Sequence, residues 1–254
     1  MKATQKIEDM KIPFTTQFDI AQKLAKHIVP IMIYNEEDKV KFNGSAVYIV
    51  YNNTKYLCTA EHVVSGVENN RVLILPEYGK AISIPSTIVI KSNYDEGDIV
   101  IYKLNVEIKE FIPVNYNDIS DSDFDGEHIT LIGFAGKNVK ENTEGTLFNY
   151  SIIFSNIAED GYKYFSNFNK EANFVCNYRK KNVLVGTGDI VTLPDPNGMS
   201  GGGAFETKYD NNNEIVSCRL VGIMTEWNPV IKKFIKCTNG RIIKFMISRL
   251  EKET

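Results

Sequence analysis

Several residue types that carry chemistry are scarce in this chain. Among its 254 residues there are four cysteines, three histidines and one tryptophan. The cysteines are too few and too widely separated for a disulfide framework or for a zinc site built on paired cysteines; they are Cys58, Cys176, Cys218 and Cys237. We therefore expect a protein that needs no metal, no disulfide and no other cofactor.

A strong charge of one sign and long apolar runs are also lacking. The chain has 29 Lys and Arg against 32 Asp and Glu, a net charge of −3, which excludes the basic surface of a general nucleic-acid binder. The longest apolar run, Ile28 to Tyr34, has seven residues and is too short to span a membrane. The first residues are polar and lack the core of a signal peptide. We expect a cytoplasmic protein that binds neither nucleic acid nor membrane.

The pattern that is present is typical of an all-β protein. Short segments rich in Val, Ile, Tyr and Phe are separated by clusters of Asn, Gly, Asp and Ser. Asn52-Asn53 and the asparagines at 211–213 predict hairpin tips, because Asn tolerates left-handed backbone angles. The candidate strands are 44–51, 55–59, 71–75, 81–84, 88–90, 99–104, 129–134, 146–155, 174–178, 183–185, 215–223 and 231–236. Many short strands and few helices favour a barrel or a sandwich.

Helical periodicity is confined to the two ends of the chain. Thr15 or Thr16 can cap a short helix that Pro30 closes, with one apolar stripe formed by Ile20, Leu24 and Ile28. Asn239 can cap a last helix that docks on the core through Ile242, Ile243, Met246, Ile247 and Leu250. The aspartate-rich stretch 115–126 is the best linker candidate. It separates the strands into two groups, and together with the two terminal helices it gives the expected division 1–29, 30–118, 119–237 and 238–254.

One glycine-rich segment, Gly198-Met199-Ser200-Gly201-Gly202-Gly203, stands out from this pattern. Each glycine costs about 0.5–1 kcal/mol of backbone entropy relative to alanine, so packing alone does not favour four of them around one serine. Such a loop suits backbone N–H groups that point into open space beside an exposed hydroxyl, as in an oxyanion site next to a nucleophile. A flexible turn or a phosphate-binding nest is the alternative. No Lys-Ser/Thr follows, which excludes a P-loop.

Two further residues gain meaning from their order along the chain. His62 follows a candidate strand and Asp98 precedes one; singly they could be a bystander and a turn residue, and Asp95 and Glu96 compete for any acid role. All three histidines precede Ser200, which excludes the α/β-hydrolase fold, where the histidine follows the serine. The subtilisin order could be forced through His128, but it needs a parallel sheet that this sequence does not offer. His128 is better interpreted as the first residue of a strand.

The remaining order, His62, Asp98 and then Ser200, resembles that of trypsin-like (chymotrypsin-fold) serine peptidases, particularly their bacterial branch. The matching segments, in a region of roughly 40–230, are Thr59-Ala60-Glu61-His62-Val63, Asp98-Ile99-Val100, Gly198-Met199-Ser200-Gly201-Gly202, Leu220 to Thr225 and Gly44-Ser45-Ala46-Val47. The resemblance implies two six-stranded antiparallel β-barrels, at 30–118 and 119–237, with short helices at both ends of the chain. The active site is then expected in the cleft between the barrels.

The resemblance also implies a reaction. Ser200 would attack a peptide carbonyl, His62 would be the general base and acid, and Asp98 would orient the imidazole. The N–H groups of Gly198 and Ser200 would bind the oxyanion. The expected protein is thus a serine endopeptidase that acts on a protein or peptide and needs no metal.

Three departures from the family bear on control. Met199 stands where digestive members carry the aspartate that pairs with a new N-terminus, and no cleavage motif occurs near the start, so zymogen activation is not expected. Gly203 replaces the usual proline and Glu61 the usual alanine. A flexible run of glycines could leave the oxyanion loop inactive until substrate or a regulatory protein partner orders it. About 20 residues follow the last strand, so no PDZ domain is expected.

Specificity is the least determined part of this interpretation. The resemblance places the substrate pocket between Thr225-Glu226-Trp227 and the segment before the serine, including Pro194 and Asp195. Glu226 and Asp195 would favour a basic substrate side chain if they face inward. Trp227 either reshapes the pocket or simply packs in the barrel. The alternatives for the whole protein are a protease-fold binding module with little or no turnover, and a general esterase.

Overall fold

The computed structural model describes most of the chain, from Phe14 to Lys252. The described residues are 14–77, 80–84, 86–92, 97–121, 124–142, 145–183, 190–193, 195–210, 212 and 214–252. Within them the chain is mostly β-structure, with three short helices and two large sheets whose pairings are antiparallel apart from one short pair. The all-β prediction is therefore confirmed.

The first sheet is built from the N-terminal half of the chain. Its strands are β1 Ile28–Tyr34, β2 Val40–Tyr51, β3 Thr54–Ala60, β4 Val72–Glu77, β5 Lys80–Ser83, β6 Ser86–Lys91, β7 Ile99–Leu104 and β8 Val114–Asn115. The order is β5-β4-β1-β2-β3-β7-β6, and the short β8 pairs in parallel with β2. Asn52 and Asn53 form the β2–β3 turn with φ of 47° and 64°, which confirms the predicted hairpin tip.

The second sheet has six strands in the order β10-β9-β14-β15-β16-β11. Its strands are β9 Ile129–Asn142, β10 Gly145–Ser155, β11 Asn173–Asn177, β14 Gly203–Tyr209, β15 Ile215–Trp227 and β16 Phe234–Asn239. The pair β12 Lys181–Val183 and β13 Ile190–Thr192 forms a small separate sheet. β9 begins one residue after His128, so the predicted strand is present but His128 lies just outside it.

In the described ranges three helices accompany the sheets: α1 Phe14–Ala25, α2 Glu61–Val64 and α3 Gly240–Lys252. The predicted cap of α3 is present, because the Asn239 side chain accepts a hydrogen bond from the N–H of Ile242 at 3.2 Å. A single apolar cluster contains residues of α1, α3 and both sheets, among them Leu24, Val47, Ile132, Ile223 and Ile247. The stretch after β8 crosses between the sheets, and Ile119 forms a bridge with Leu220 of β15.

The N-terminal half of the chain differs from the prediction in the end of its first helix and in the number of its strands. The first helix ends at Ala25, and Ile28 belongs to β1 rather than to a helical stripe. Pro30 is compatible with this strand because β1 pairs with β4 only at Met32 and Ile33, so no ladder bond is lost on that side at Pro30. In the described residues β1 and β8 add to the six predicted strands, so the sheet has eight strands.

The prediction also specified that each sheet closes into a barrel. In the described part of the chain, the outermost strands of each sheet are not hydrogen-bonded to each other. Both sheets contribute to one shared core cluster. The predicted boundaries between domains stay a prediction.

Candidate active site

His62 is presented by a one-turn helix at the end of a buried strand. β3 finishes in the fully buried Thr59 and Ala60, and α2 follows directly. Val63 and Val64 are buried and fix this turn to the core of the first sheet. The His62 side chain keeps 46% of its surface exposed. The local sequence thus anchors the turn by its valines and leaves the imidazole accessible.

Asp98 holds that imidazole through both oxygens of its carboxylate. Oδ2 lies 2.8 Å from Nδ1 of His62, and Oδ1 accepts the backbone N–H of His62 at 3.2 Å. The Asp98 carbonyl also accepts the N–H of Glu61 at 3.0 Å. Because an ionised carboxylate can only accept, it favours the tautomer with the proton on Nδ1. The other ring nitrogen of His62, Nε2, is then able to accept a proton.

Asp98 makes this double contact from an unusual backbone conformation. Asp98 has a φ of 52°, in the left-handed region, and only 4% of the residue is exposed. Asp is among the residues that adopt this conformation most readily. The sequence competitors Asp95 and Glu96 lie outside the described residues.

The loop around Ser200 owes its glycines to backbone angle and to close packing. Gly198 and Gly201 have φ of 90° and 85°. A Cβ on Gly201 would lie 1.9 Å from the carbonyl oxygen of Ser45, and one on Gly202 would lie 2.3 Å from that of Ile132. Gly201 and Gly202 are buried. Packing therefore explains these two glycines without the flexibility that the sequence suggested.

Two N–H groups of this loop have no hydrogen-bond acceptor among the described residues, while their neighbours do. The N–H of Met199 donates to Pro196 O at 2.9 Å, that of Gly201 to Met224 O at 2.7 Å and that of Gly202 to Met199 O at 2.8 Å. The remaining N–H groups belong to Gly198 and Ser200. These are the two that the sequence predicted for the oxyanion.

The direction of these free N–H groups is set by the carbonyls of the same peptides. The Asn197 carbonyl accepts the Gly136 N–H at 2.8 Å, and the Met199 carbonyl accepts the Gly202 N–H at 2.8 Å. A trans peptide is planar, so fixing its C=O on one side directs its N–H to the other. Each of the two N–H groups is therefore restrained by its own peptide before any ligand binds.

One cleft of about 440 Å³ contains most of the predicted site residues. It brings His62 of α2 and Asp98, which directly precedes β7, together with Gly198 and Ser200 and with the end of β15. Its remaining lining residues are Asn43, Val63, Pro196, Asn197, Thr225, Glu226, Trp227 and Pro229. The sequence did not single out Asn43 or Pro229, because nothing in their local pattern signals a site.

The two predicted acidic pocket residues differ in their surroundings. Glu226 lines the cleft, and its carboxylate pairs at 2.8 Å with the ammonium of Lys236, whose side chain is 2% exposed. Asp195 does not line the cleft; it pairs with Lys180 at 3.0 Å and with Lys137 at 3.5 Å. The Lys180 ammonium, with help from Lys137, holds the pKa of Asp195 below its usual range. Both charges are thus already compensated, which weakens the case for a basic substrate side chain.

Trp227 combines the two roles that the sequence left open. It lines the cleft and also packs against the apolar cluster of the second sheet. Its ring meets Tyr178 edge to face at a centroid distance of 6.2 Å. Thr225 is fully buried and its hydroxyl donates to Lys236 O at 3.3 Å. Pro194 lies outside the described residues.

The other histidines and the cysteines lie outside the cleft. His27 Nδ1 is 2.6 Å from the Ile112 carbonyl, and burial lowers the pKa of this imidazole. His128 meets the Tyr209 ring edge to face. All four cysteines are free thiols. In the described ranges no group of three or more His, Cys, Asp or Glu could hold a metal ion, and no described helix is long and apolar enough to cross a membrane.

Comparison with known proteins gives no assignment. No family model matches the chain, and no curated protein is significantly similar to it.

Proposed function

We propose that the protein is a serine endopeptidase of the chymotrypsin-like type, in which Ser200, His62 and Asp98 form the catalytic triad. The observation that carries the proposal is the double contact of Asp98 with His62 in the cleft that Ser200 also lines. The two free N–H groups beside Ser200 supply the second element that acyl transfer needs. We further propose that the two sheets correspond to the two barrels of that fold.

The reaction follows from the chemistry of these groups. The Ser200 hydroxyl oxygen forms a bond to the peptide carbonyl carbon while Nε2 of His62 takes the hydroxyl proton. The carbonyl oxygen becomes an oxyanion, which the N–H groups of Gly198 and Ser200 stabilise. His62 then gives its proton to the leaving amine as the C–N bond breaks, and an acyl-enzyme is left on Ser200.

Deacylation uses the same residues, with water as the nucleophile and the serine oxygen as the leaving group. Water attacks the ester carbon while His62 accepts a proton from the water, and the C–O bond to Ser200 breaks as that proton returns to the serine oxygen. Asp98 stays ionised and stabilises the imidazolium at each stage. Loss of one oxyanion donor in such enzymes costs about 2.7–4 kcal/mol of transition-state stabilisation.

Activity without N-terminal cleavage fits the environment of Met199. Met199 is 1% exposed and belongs to the apolar cluster of the second sheet, which also contains Met224. An apolar contact thus occupies the position where an activated digestive protease needs an ion pair. The carbonyl anchors at Asn197 and Met199 also support a loop that is ordered without a partner.

Labelling with a fluorophosphonate probe tests this proposal. The native protein should acquire one covalent adduct on Ser200, and Ser200→Ala and His62→Ala should abolish it. Ser155→Ala is a matched control, because Ser155 is 1% exposed and its hydroxyl donates to Asn177 O at 2.6 Å, outside the cleft. A native protein that is not labelled would favour the binding module. Labelling with turnover of esters but not of peptides would favour the esterase.

A further inference from the structure

A buried serine lies directly behind the Ser200 loop and joins it to the first sheet. Ser45 is in β2, is fully buried and does not line the cleft. It therefore has no access to a substrate. The reaction described above assigns no role to its hydroxyl.

Every polar group of Ser45 is engaged in a hydrogen bond. Its N–H donates to the Ser200 carbonyl at 2.9 Å, and its own carbonyl accepts the Thr59 hydroxyl at 2.6 Å. Its Oγ accepts the N–H of Phe134 at 2.8 Å and lies 3.0 Å from the Gly198 carbonyl. Because an N–H can only donate, the single hydroxyl proton of Ser45 is directed to Gly198.

The bond to Gly198 fixes the peptide that lies between the two free N–H groups. The N–H of this peptide, on Met199, donates to Pro196, and its C=O is held by Ser45. A change in ψ of Gly198 or φ of Met199 that the other angle does not compensate would turn the N–H groups of Gly198 and Ser200 relative to each other. Gly198, with φ of 90° and no Cβ, is itself a weak restraint on that rotation.

We propose that Ser45 is a positioning residue of the oxyanion site: its hydroxyl locks the Gly198–Met199 peptide and thereby keeps the N–H groups of Gly198 and Ser200 convergent. This inference rests on the proposed function. A β2 side chain from one sheet thus prepares a catalytic element carried by the other. Its contribution is to the transition state, since the oxyanion exists only after attack by Ser200.

Pre-steady-state release of p-nitrophenol from p-nitrophenyl acetate tests the inference, because the burst reports acylation of Ser200. Ser45→Ala removes the hydroxyl and keeps the backbone N–H that bonds Ser200. We expect its maximal acylation rate to fall about 10- to 100-fold, as small misplacements of catalytic groups do. The substrate concentration for half-maximal rate should stay within about two-fold, since ground-state binding is unaffected.

Two further variants separate positioning from mere stability. Ser155→Ala removes another buried hydroxyl that bonds a backbone carbonyl, and it should lower the melting temperature without changing the acylation rate. Ser45→Thr keeps a hydroxyl and should recover most of the rate. If Ser45→Ala does not fold, Ser45→Cys replaces it, because a thiol has similar shape but is a weak donor; the same selective loss of rate is expected.

The outcomes distinguish this inference from the proposed function. A native burst that Ser200→Ala abolishes, together with Ser45 variants that behave like Ser155→Ala, would overturn the positioning role and leave the peptidase proposal intact. Absence of a native burst, or a burst that survives in Ser200→Ala, would overturn both.

Discussion

Replacing Asp98 by asparagine changes hydrogen-bond donors and acceptors while keeping size and backbone compatibility. In the native protein both carboxylate oxygens accept, one from Nδ1 of His62 and one from its backbone N–H. An amide has only one accepting oxygen. If that oxygen keeps the backbone bond, the amide NH₂ faces Nδ1 and favours the proton on Nε2. In the proposed mechanism, His62 can then no longer take the proton of Ser200.

The expected loss follows from that tautomer. A serine hydrolase whose histidine is held in the wrong tautomer loses about 10⁴-fold in kcat, and at 1.36 kcal/mol per decade this is about 5.4 kcal/mol of activation free energy. The acylation burst of Asp98→Asn should fall by that factor at neutral pH. The melting temperature should change little by comparison.

Asp38→Asn provides the matched control, because Asp38 also has a left-handed φ, 56°, and is exposed. It should leave the burst unchanged and so exclude a general effect of the amide at this backbone angle. A rate for Asp98→Asn within about ten-fold of native would refute the tautomer argument.

Three other substitutions have effects that the structure specifies. Gly201→Ala should lower the free energy of unfolding by about 2–5 kcal/mol in urea titration, because the cost of overpacking is added to the cost of a left-handed φ. Gly66→Ala is the control: at φ 73° its added Cβ would lie in open space, and it should cost only about 1–2 kcal/mol. The hydrogen bond from Tyr56 lowers the pKa of Glu251, so this carboxylate stabilises the fold above its ordinary pKa and less as pH falls through the lowered value. Glu251→Gln should therefore cost about 1 kcal/mol at neutral pH, with a difference from native that shrinks in acid; a constant difference would contradict this. Trp227→Ala should widen the cleft and raise the kcat/KM ratio of a phenylalanyl over an alanyl ester about 10- to 100-fold; an unchanged ratio would exclude Trp227 as a wall of the substrate pocket.

The parts of the fold that sequence pattern predicted are those where local preference and tertiary structure agree. The Asn52-Asn53 turn and the Asn239 cap depend on backbone groups within a few residues, so their signals are local. β1 was missed because Pro30 signals a break, and the tolerance for it comes from where β1 pairs with β4. That information lies outside the segment.

β14 was missed for a different reason. It begins in the glycine run, and its buried face includes Glu206, which is 1% exposed and pairs with Arg219 at 2.6 Å. A charged residue at a core position hides the alternation that marks a strand. The partner that makes its burial tolerable is on the neighbouring strand β15 and cannot be inferred from the local pattern.

The candidate site likewise contains residues that the sequence indicated and contacts that it could not indicate. His62, Asp98 and Ser200 could be proposed from residue types and their order, and the structure places all three in one cleft. The lysine partners of Asp195 and Glu226 could not be proposed, because each pairing joins different segments of the chain. The proposed role of Ser45 could not be inferred from its residue type, since it depends on four contacts to three other segments.

Cleavage of a defined peptide library in H₂¹⁸O tests the central claim most directly. Native protein should produce new carboxyl termini that carry one ¹⁸O from the water of deacylation, and Ser200→Ala should produce none at equal concentration. Mass spectrometry of the library reads both the cleavage and the label. A library left intact by folded native protein, or cleaved equally by Ser200→Ala, would contradict the assignment of Ser200 as the nucleophile of a peptidase.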